Sequence, residues 1–242
     1  MGNEPAEAPQ AVAHPAVATE HVCKTYRRGR IDVNALVDVS LVVPAGEFLA
    51  IMGPSGSGKS TLLNMIAGLD VPTSGRIDVA GTCLSTLNDD QMTEFRRRKI
   101  GYIHQRFMFL PDLTIEENVG IPLVLDGRNR GDVQAEVERV LVHVGLADRR
   151  AHLPTEVSGG ELQRAAIARA LVARPAVLLA DEPTGNLDSY AGERVLLDMR
   201  RTVDELHRTI LLVTHDPKAA AYADRIERLV DGALGRTGVA AR

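Results

Sequence analysis

Three short apolar runs stand out along this chain of 242 residues. They are FLAIM at 48–52, AVLLAD at 176–181 and TILLVT at 209–214. Continuous apolar runs of this length are typical of strands that are buried on both faces. Because helical patterns separate the runs, we predict an α/β fold with a mostly parallel sheet that is covered on both sides.

The segments around these runs have other patterns. Near the start, the alternating runs TEHVCKTY and ALVDVSLVV predict strands, with a turn at Pro44-Ala45-Gly46. Between roughly residues 88 and 174, apolar positions recur at helical spacing. This stretch predicts a helical insertion, with a helical subdomain over about 90–165.

The first residues differ from the rest of the chain. Residues 1–17 are rich in Ala, Pro and Glu and have no apolar period, which predicts a disordered leader. Ordered structure is expected to begin near Thr19. One domain is therefore expected over 18–242.

Composition restricts the classes of partner and compartment. The chain is 45% hydrophobic and 25% charged, with a net charge of −4; this argues against nucleic acid as the main partner, because duplex-binding proteins carry a basic face. Cys23 and Cys83 fit no metal-ligand spacing and are expected to be reduced thiols. No uncharged apolar run approaches the roughly 18–20 residues of a spanning helix. We expect a soluble chain that reaches a membrane only through a partner.

A glycine-rich loop, GPSGSGKST (53–61), called the P-loop below, joins the first apolar run to the helical segment TLLNMIAG. In this context the backbone N–H groups wrap a phosphate at a helix N-terminus. Lys59 is expected to reach the outer phosphates, and the Ser60 hydroxyl to ligate magnesium. A flexible Gly/Ser linker is the alternative, which the flanking strand and helix disfavour. The predicted contacts are Gly53, Pro54, Ser55, Gly56, Ser57, Gly58, Lys59, Ser60 and Thr61.

Polar residues end the other two apolar runs, at the edge where open parallel sheets bind ligands. Asp181 fits a magnesium carboxylate, and Glu182 could orient or deprotonate the attacking water. An acidic turn after a strand is the alternative if the pair is taken alone. His215 follows the third run directly, and its place at a strand end near the same edge favours a functional role over a merely exposed histidine.

A second glycine segment, VSGGELQR, occupies 157–164 and is called the signature segment below. Ser158 and Glu161 have the spacing of a capping box, so a helix should begin here with its first N–H groups exposed. Gly159 and Gly160 leave that end bare, which suits a second anion site. Taken alone, an ordinary capped helix remains the better interpretation.

The signature segment lies between the P-loop and the Asp-Glu pair, and with it the chain resembles the ABC ATPase family from about Thr19 onward. The resemblance implies a P-loop NTPase core, an antiparallel β subdomain and an inserted α-helical subdomain. It also implies an ATP-hydrolysing dimer, in which the signature segment of one copy covers the nucleotide on the P-loop of the other. ATP and Mg²⁺ are the implied cofactors.

The resemblance further implies a membrane partner and roles for single residues. An integral membrane permease on another polypeptide would hold the chain at the inner, cytoplasmic face of the cell membrane. Tyr26 resembles the aromatic residue that stacks on adenine, and Gln105 the glutamine that senses magnesium. Asp188 lies in NLD, which resembles the loop that passes information between subunits, and His215 resembles the switch histidine. The expected catalytic residues are Glu182, His215 and Gln105; the expected metal ligands are Ser60, Gln105 and Asp181; the remaining nucleotide contacts are Tyr26, Ser158, Gly159, Gly160 and Asp188.

Three further segments resemble the subgroup of lipoprotein-releasing and macrolide or peptide exporters, together with the cell-division ATPase. They are GLDVPTSG (68–75), LPDLTIEENV (110–119) and DEPTGNLDS (181–189). The chain is therefore expected to power export or extraction through a separate permease. The alternative is an ATPase that regulates a permease-like partner without transport. The apolar segment 106–110 after Gln105 suits either a helical core or a docking site, and the resemblance favours docking of a short helix of the membrane subunit.

The chain departs from the family pattern at two places. Val157 stands where leucine is usual, and Ile103-His104 precede Gln105 where an aromatic residue is common. A soluble ABC ATPase acting on DNA or ribosomes would carry coiled-coil insertions or a second ATPase unit, and the sequence shows neither. A P-loop kinase or GTPase would leave the signature segment unexplained.

Overall fold

The computed structural model describes residues 14–29 and 31–235. Its ten strands are β1 (Val17–Arg28), β2 (Ile31–Val43), β3 (Phe48–Met52), β4 (Ser74–Val79), β5 (Thr82–Cys83), β6 (Ile100–Ile103), β7 (Val177–Asp181), β8 (Thr209–Thr214), β9 (Arg225–Val230) and β10 (Ala233–Leu234) within these residues. The helices of the same residues are α1 (Lys59–Ile66), α2 (Asp89–Lys99), α3 (Ile115–Leu125), α4 (Arg130–His143), α5 (Gly159–Leu171), α6 (Ser189–Leu206) and α7 (Pro217–Ala220).

Residues 16 and 17 already belong to a sheet, before the start near Thr19 that the sequence suggests. Residues 1–13 of the expected leader lie outside the described residues, but Val17 already belongs to β1 and is fully buried. The N–H of Ala16 donates to the carbonyl of Val43 at 2.8 Å. Residues 16 and 17 are therefore part of a sheet, and the boundary expected at residue 17 is corrected accordingly.

The three apolar runs form neighbouring strands at the centre of a six-stranded sheet. The strand order is β10-β9-β3-β8-β7-β6, and all pairs except β10 with β9 are parallel. This confirms the mostly parallel sheet. In such a sheet the carboxyl ends of β3, β7 and β8 lie at one edge, where the loops that follow them come together.

Alternate residues of these strands enter two separate cores, one on each face of the sheet. Phe48, Leu178 and Ile210 pack with apolar residues of α3, α4, α5 and α6. Leu49, Leu179 and Leu211 pack with α1, α2 and the other sheet. Both faces of each strand are covered, which explains why the strands read as continuous apolar runs.

The second sheet is antiparallel, with order β2-β1-β4-β5, as the family resemblance implied. Its inner face shares a core with α1, through Val22, Leu36 and Ile77. Cys23 and Cys83 are free thiols in this sheet.

The helical region holds α3, α4 and α5, which pack on one another. Each begins at a side-chain cap, because Thr114, Asn129 and Ser158 accept from the N–H of the residue three positions on. The stretch expected to be helical over about 90–165 is interrupted by β6, which pairs with β7 at the edge of the main sheet. The run IGYI is too short to predict a strand beside a helical pattern. In the described ranges, no helix has both the length and the apolar character needed to cross a membrane.

Candidate active site

The P-loop joins β3 to α1 through glycines that no other residue could replace without a shift. Gly58 has φ +100°, and a Cβ there would lie 2.3 Å from the carbonyl oxygen of Ala35 on β2. A Cβ on Gly53 would lie 2.0 Å from the carbonyl oxygen of Leu229 on β9. The loop is thus fitted between the two sheets, and its backbone conformation needs glycine at these places.

Lys59, the first residue of α1, turns its ammonium group back into the loop. Nζ donates to the carbonyl oxygens of Gly53 at 2.8 Å and Pro54 at 2.9 Å, and the residue is 5% exposed. Within the described residues, no carboxylate pairs with it. Ser57 Oγ is also buried there without a hydrogen-bond partner. A buried cation and an unsatisfied hydroxyl fit an anionic ligand such as a phosphate chain.

Ser60 and Asp181 connect the P-loop to the end of β7. Ser60 Oγ donates to Asp181 Oδ1 at 3.0 Å, although the residues are 121 positions apart. Burial raises the pKa of Asp181, the Ser60 hydrogen bond opposes this, and the neighbouring charge of Glu182 raises the pKa further. A hydroxyl and a carboxylate side by side are the oxygen donors that Mg²⁺ binds in nucleotide sites.

Glu182 follows Asp181 in a strained conformation that directs its carboxylate to His215. Its φ is +44°, a value that is unusual for a residue with a side chain. Its N–H donates to the carbonyl of Val213 at 3.0 Å, which extends the pairing of β7 with β8 by one residue. Oε1 lies 2.9 Å from His215 Nδ1. The two side chains line one cleft of about 340 Å³ with Thr184, Gly185 and Thr214.

Gln105 lies beside the same cleft without reaching the expected metal ligands. Gln105 and Glu182 both lie next to Gly185. A Cβ on Gly185 would be 2.9 Å from Gln105 Nε2 and 3.6 Å from Glu182 Oε2. The Asn186 amide donates to the Gln105 carbonyl at 3.0 Å. Among the hydrogen bonds of residues 14–29 and 31–235, none joins Gln105 to Ser60 or Asp181. Its role toward a metal therefore remains a prediction.

The signature segment begins α5 as the capping box predicted. Ser158 Oγ accepts from the Glu161 N–H at 3.3 Å, and Glu161 Oε2 accepts from the Ser158 N–H at 2.9 Å. The Ser158 backbone hydrogen bond contributes most to lowering the pKa of Glu161 to about 2, with help from Arg149. Ser158 and Gly160 share a cleft of about 310 Å³ with Asp188, which caps α6 by accepting from the Ala191 N–H.

The structure therefore assembles two separate groups of expected site residues. Lys59, Ser60, Asp181, Glu182 and His215 follow one another along the carboxyl edge of the sheet. Ser158, Gly159, Gly160 and Asp188 form a second group at the start of α5 and α6. Among the described residues, no hydrogen bond links Ser158 to the P-loop.

Tyr26 is anchored by Asp70, a residue that the sequence did not single out as part of the site. The Tyr26 hydroxyl donates to Asp70 Oδ2 at 2.8 Å, and Lys24 Nζ donates to Oδ1 at 2.6 Å. Burial, and then this hydrogen bond, raise the pKa of Tyr26; the Thr61 side chain of α1 also contacts the hydroxyl. Asp70 lies within the GLDVPTSG segment, which offered the only signal for it.

Asn118 is a second residue that sequence reasoning missed. It is fully buried on α3, and its amide binds the backbone of Leu110, Leu113 and Thr114. It fixes the chain that follows Gln105. The available signal was an asparagine within an otherwise apolar stretch of helix, because a buried amide must find partners.

The two departures from the family pattern have structural counterparts. The ring of His104 stacks on Tyr102 with a centroid distance of 4.2 Å, so an aromatic surface is still present beside Gln105. Burial lowers the pKa of His104, which favours the neutral ring. Val157 packs partly buried against the main core.

Comparison with known proteins gives one consistent result. The family model described as ABC transporter matches residues 36–185. The chain is 44% identical over 220 residues to the lipoprotein-releasing system ATP-binding protein LolD of Bordetella pertussis, covering 91% of this chain and 95% of LolD. It is 46% identical over 224 residues to the macrolide export ATP-binding/permease protein MacB of Bradyrhizobium diazoefficiens. That match covers 91% of this chain but 34% of MacB, so the chain spans about a third of that relative.

A solved structure shows the same fold. The dimeric, post-hydrolysis state of the ATP-binding cassette MJ0796, bound to ADP and Pi, superimposes with a TM-score of 0.85. The match has 39% sequence identity and covers 93% of this chain and 99% of that one.

Proposed function

The chain belongs to the ABC transporter family as an ATP-hydrolysing cassette, and we propose that it powers export or extraction through a separate membrane permease. The observation that carries the proposal is the hydrogen bond from Ser60 to Asp181. It joins the phosphate loop to the strand end that bears Glu182, so binding and hydrolysis residues form one continuous site.

ATP binding depends first on the P-loop. The N–H groups of the loop would surround the triphosphate of ATP. Lys59 would give up its hydrogen bonds to the Gly53 and Pro54 carbonyls and donate to the outer phosphates instead. Tyr26 offers a ring for the adenine base at the opposite end of the ligand. The unsatisfied Ser57 hydroxyl and the buried Lys59 ammonium, whose hydrogen bonds go to backbone carbonyls, support an anion at this place.

Magnesium fits the same site by its donor set. Ser60 and Asp181 present a hydroxyl and a carboxylate oxygen in contact, and Gln105 is the proposed third residue from the family pattern. When bound, the ion offsets negative charge on the β and γ phosphates.

Hydrolysis requires a base and a group that holds the terminal phosphate. Glu182 lies one residue beyond Asp181, where its carboxylate can accept a proton from the attacking water or orient it. His215 is bonded to that carboxylate and is the proposed contact to the terminal phosphate. Its exposed position allows it to turn from the carboxylate toward the ligand.

A second copy of the chain would complete each site. The capped start of α5 exposes N–H groups without side chains at Gly159 and Gly160, but within one chain it is not bonded to the P-loop. A helix N-terminus of this kind attracts phosphate. We therefore infer a dimer in which Ser158 of one copy and Lys59 of the other enclose the same ATP, closing on binding and reopening after hydrolysis.

A membrane partner is proposed from the surface next to Gln105. Met108 is 67% exposed and Leu110 is 52% exposed, while Phe109 packs on the core. Leu110 also lines an apolar groove of about 620 Å³ between α3 and α4, together with residues such as Ile121 and Val133. This surface suits a short cytoplasmic helix of a permease, which would hold the chain at the inner face of the membrane.

Purified chain and a permease partner would test the proposal. We expect Mg²⁺-dependent ATP hydrolysis that rises more than linearly with chain concentration and is lost in Lys59→Ala. Glu182→Gln should bind ATP and accumulate as a dimer. Full hydrolysis by a monomer would contradict the dimer. Stimulation by cargo, in vesicles containing a candidate permease, supports transport, whereas stimulation by the permease without cargo movement supports a regulatory role.

A further inference from the structure

One helix holds the chain on both sides of Gln105. Gln163 on α5 donates from Nε2 to the His104 carbonyl at 3.4 Å. Two turns later, Arg169 donates to the carbonyls of Phe107 and Met108, each at 2.7 Å. The segment 104–108, called the Gln105 loop below, is therefore fastened to α5 at its two ends.

Arg169 is placed for these contacts and not for an ion pair. Its guanidinium lies 4.6 Å from the ring centroid of Phe109, and burial lowers its pKa. In the described part of the chain, no carboxylate pairs with it. The planar guanidinium donates from two nitrogens that are fixed relative to each other, one to each of these two carbonyls.

Gln163 occupies a position where an apolar residue of equal volume would make the folded state more stable. The side chain is fully buried, and its Oε1 has no hydrogen-bond partner. A buried, half-satisfied amide lowers the free energy of unfolding relative to a residue of equal volume without polar atoms. Packing alone does not explain either Gln163 or Arg169. A requirement to hold the Gln105 loop in a fixed position explains both.

The same helix starts at the signature segment. α5 runs from Gly159 to Leu171 and is capped by Ser158. The Gln105 loop is also tied to the strand end that bears Glu182, through the bond from Asn186 to the Gln105 carbonyl. A displacement of the loop must therefore move α5, and with it Ser158, or break one of these bonds.

We propose that Gln163 and Arg169 are positioning residues that make the Gln105 loop and Ser158 one rigid unit. The proposal rests on the dimer proposed above. The loop borders the protomer's own nucleotide site, and Ser158 closes the site of the partner copy. Gln163 and Arg169 would thus determine how strongly nucleotide binding in the protomer's own site favours closure of the partner's site. Neither residue would touch ATP.

The test measures dimer closure in the Glu182→Gln parent, which cannot turn over. Arg169→Lys keeps the charge and loses the planar guanidinium, and Gln163→Met removes the amide at nearly constant volume.

Arg208→Lys is the matched control, because Arg208 is also partly buried, has a pKa lowered by burial and donates to a backbone carbonyl, that of Pro175. For each variant, three quantities are measured: ATP binding to the monomer, the ATP concentration that half-saturates dimer formation in sedimentation, and the thermal midpoint.

The expected result separates positioning from stability. Both loop variants should need about tenfold more ATP to dimerise, while monomer binding stays within about twofold. Gln163→Met should keep or raise the thermal midpoint, although it weakens closure. The control should dimerise like the parent.

Three results would overturn the proposal. Unchanged dimerisation in both loop variants contradicts it, and so does a loss of closure that only parallels a loss of thermal stability, as a purely structural role would give. A parent that binds ATP yet never dimerises refutes the proposed dimer itself, and the coupling with it.

Discussion

Glu182 and His215 are neighbours because two parallel strands end side by side. Asp181 of β7 is paired with Val213 of β8, so the residues that follow the strands reach the same cleft, and Glu182 Oε1 comes to 2.9 Å from His215 Nδ1. The His215 side chain is 63% exposed, and that of Glu182 is 20% exposed. The carboxylate is held by the sheet, and the imidazole approaches it from solvent.

Removal of His215 should therefore impair hydrolysis and spare binding. In His215→Ala we expect phosphate release to fall about 100-fold, because the terminal phosphate loses a contact while the P-loop is unchanged. Nucleotide affinity should stay within a few-fold. His21→Ala is the control, since it removes another exposed histidine–carboxylate contact, to Asp38 at 2.6 Å, far along the antiparallel sheet. Unimpaired turnover in His215→Ala would exclude this role.

Gly58 should tolerate no side chain. Gly58→Ala combines φ +100° with a Cβ 2.3 Å from the Ala35 carbonyl, so we expect a loss of about 2–4 kcal/mol in the free energy of unfolding and weaker ATP binding. Gly127→Ala has a similar φ of +75° but open space around it. It should cost about 1 kcal/mol and leave ATP binding unchanged. Denaturant titration and nucleotide binding measure both effects; equal binding in the two variants would contradict the fit described for the P-loop.

The ring of Tyr26, and not its hydroxyl, should matter for the base. Tyr26→Phe keeps the ring and loses the hydroxyl contacts to Asp70 and Thr61, and we expect ATP affinity within about threefold of wild type. Tyr26→Ala should lose about 1–2 kcal/mol of binding, and GTP should bind nearly as well as ATP, because stacking does not read base edges. Equal affinity of the Phe and Ala variants would refute stacking.

Glu161 should make the free energy of unfolding depend on pH. Its folded pKa of about 2 lies below the usual 4.5, so ionised Glu161 stabilises the folded state fully above pH 4.5, and this stabilisation is lost as pH falls toward 2. Glu161→Gln should unfold about 1 kcal/mol more easily at pH 7, and its difference from wild type should shrink to near zero at pH 2. Urea titrations at several pH values check this against Glu138→Gln, an exposed control on α4. A difference that is constant with pH would show that the charge is irrelevant.

Local patterns predicted much of this molecule. The strand Phe48–Met52 and the strand Thr209–Thr214 have the limits of the apolar runs, because a strand buried on both faces must be apolar throughout. The capping box at Ser158 and Glu161 was also predictable, since its partners are three residues apart.

What escaped prediction depends on distant partners. The strand Ile100–Ile103 is a strand only because β7 lies beside it. Likewise Arg169 and Phe107 are 62 positions apart, and Tyr26 and Asp70 are 44 apart. A single sequence offers no periodicity that would join such pairs.

The two cores on opposite faces of the main sheet limit how the chain can change in length. Inserting one residue into Val177–Asp181 would send each later side chain of the strand to the opposite layer, exchanging Leu178 with Leu179. Insertions and deletions should therefore be accepted in connections such as the turn at Gly127, which has open space around it and precedes the Asn129 cap of α4. The strands, in contrast, must keep their present number of residues.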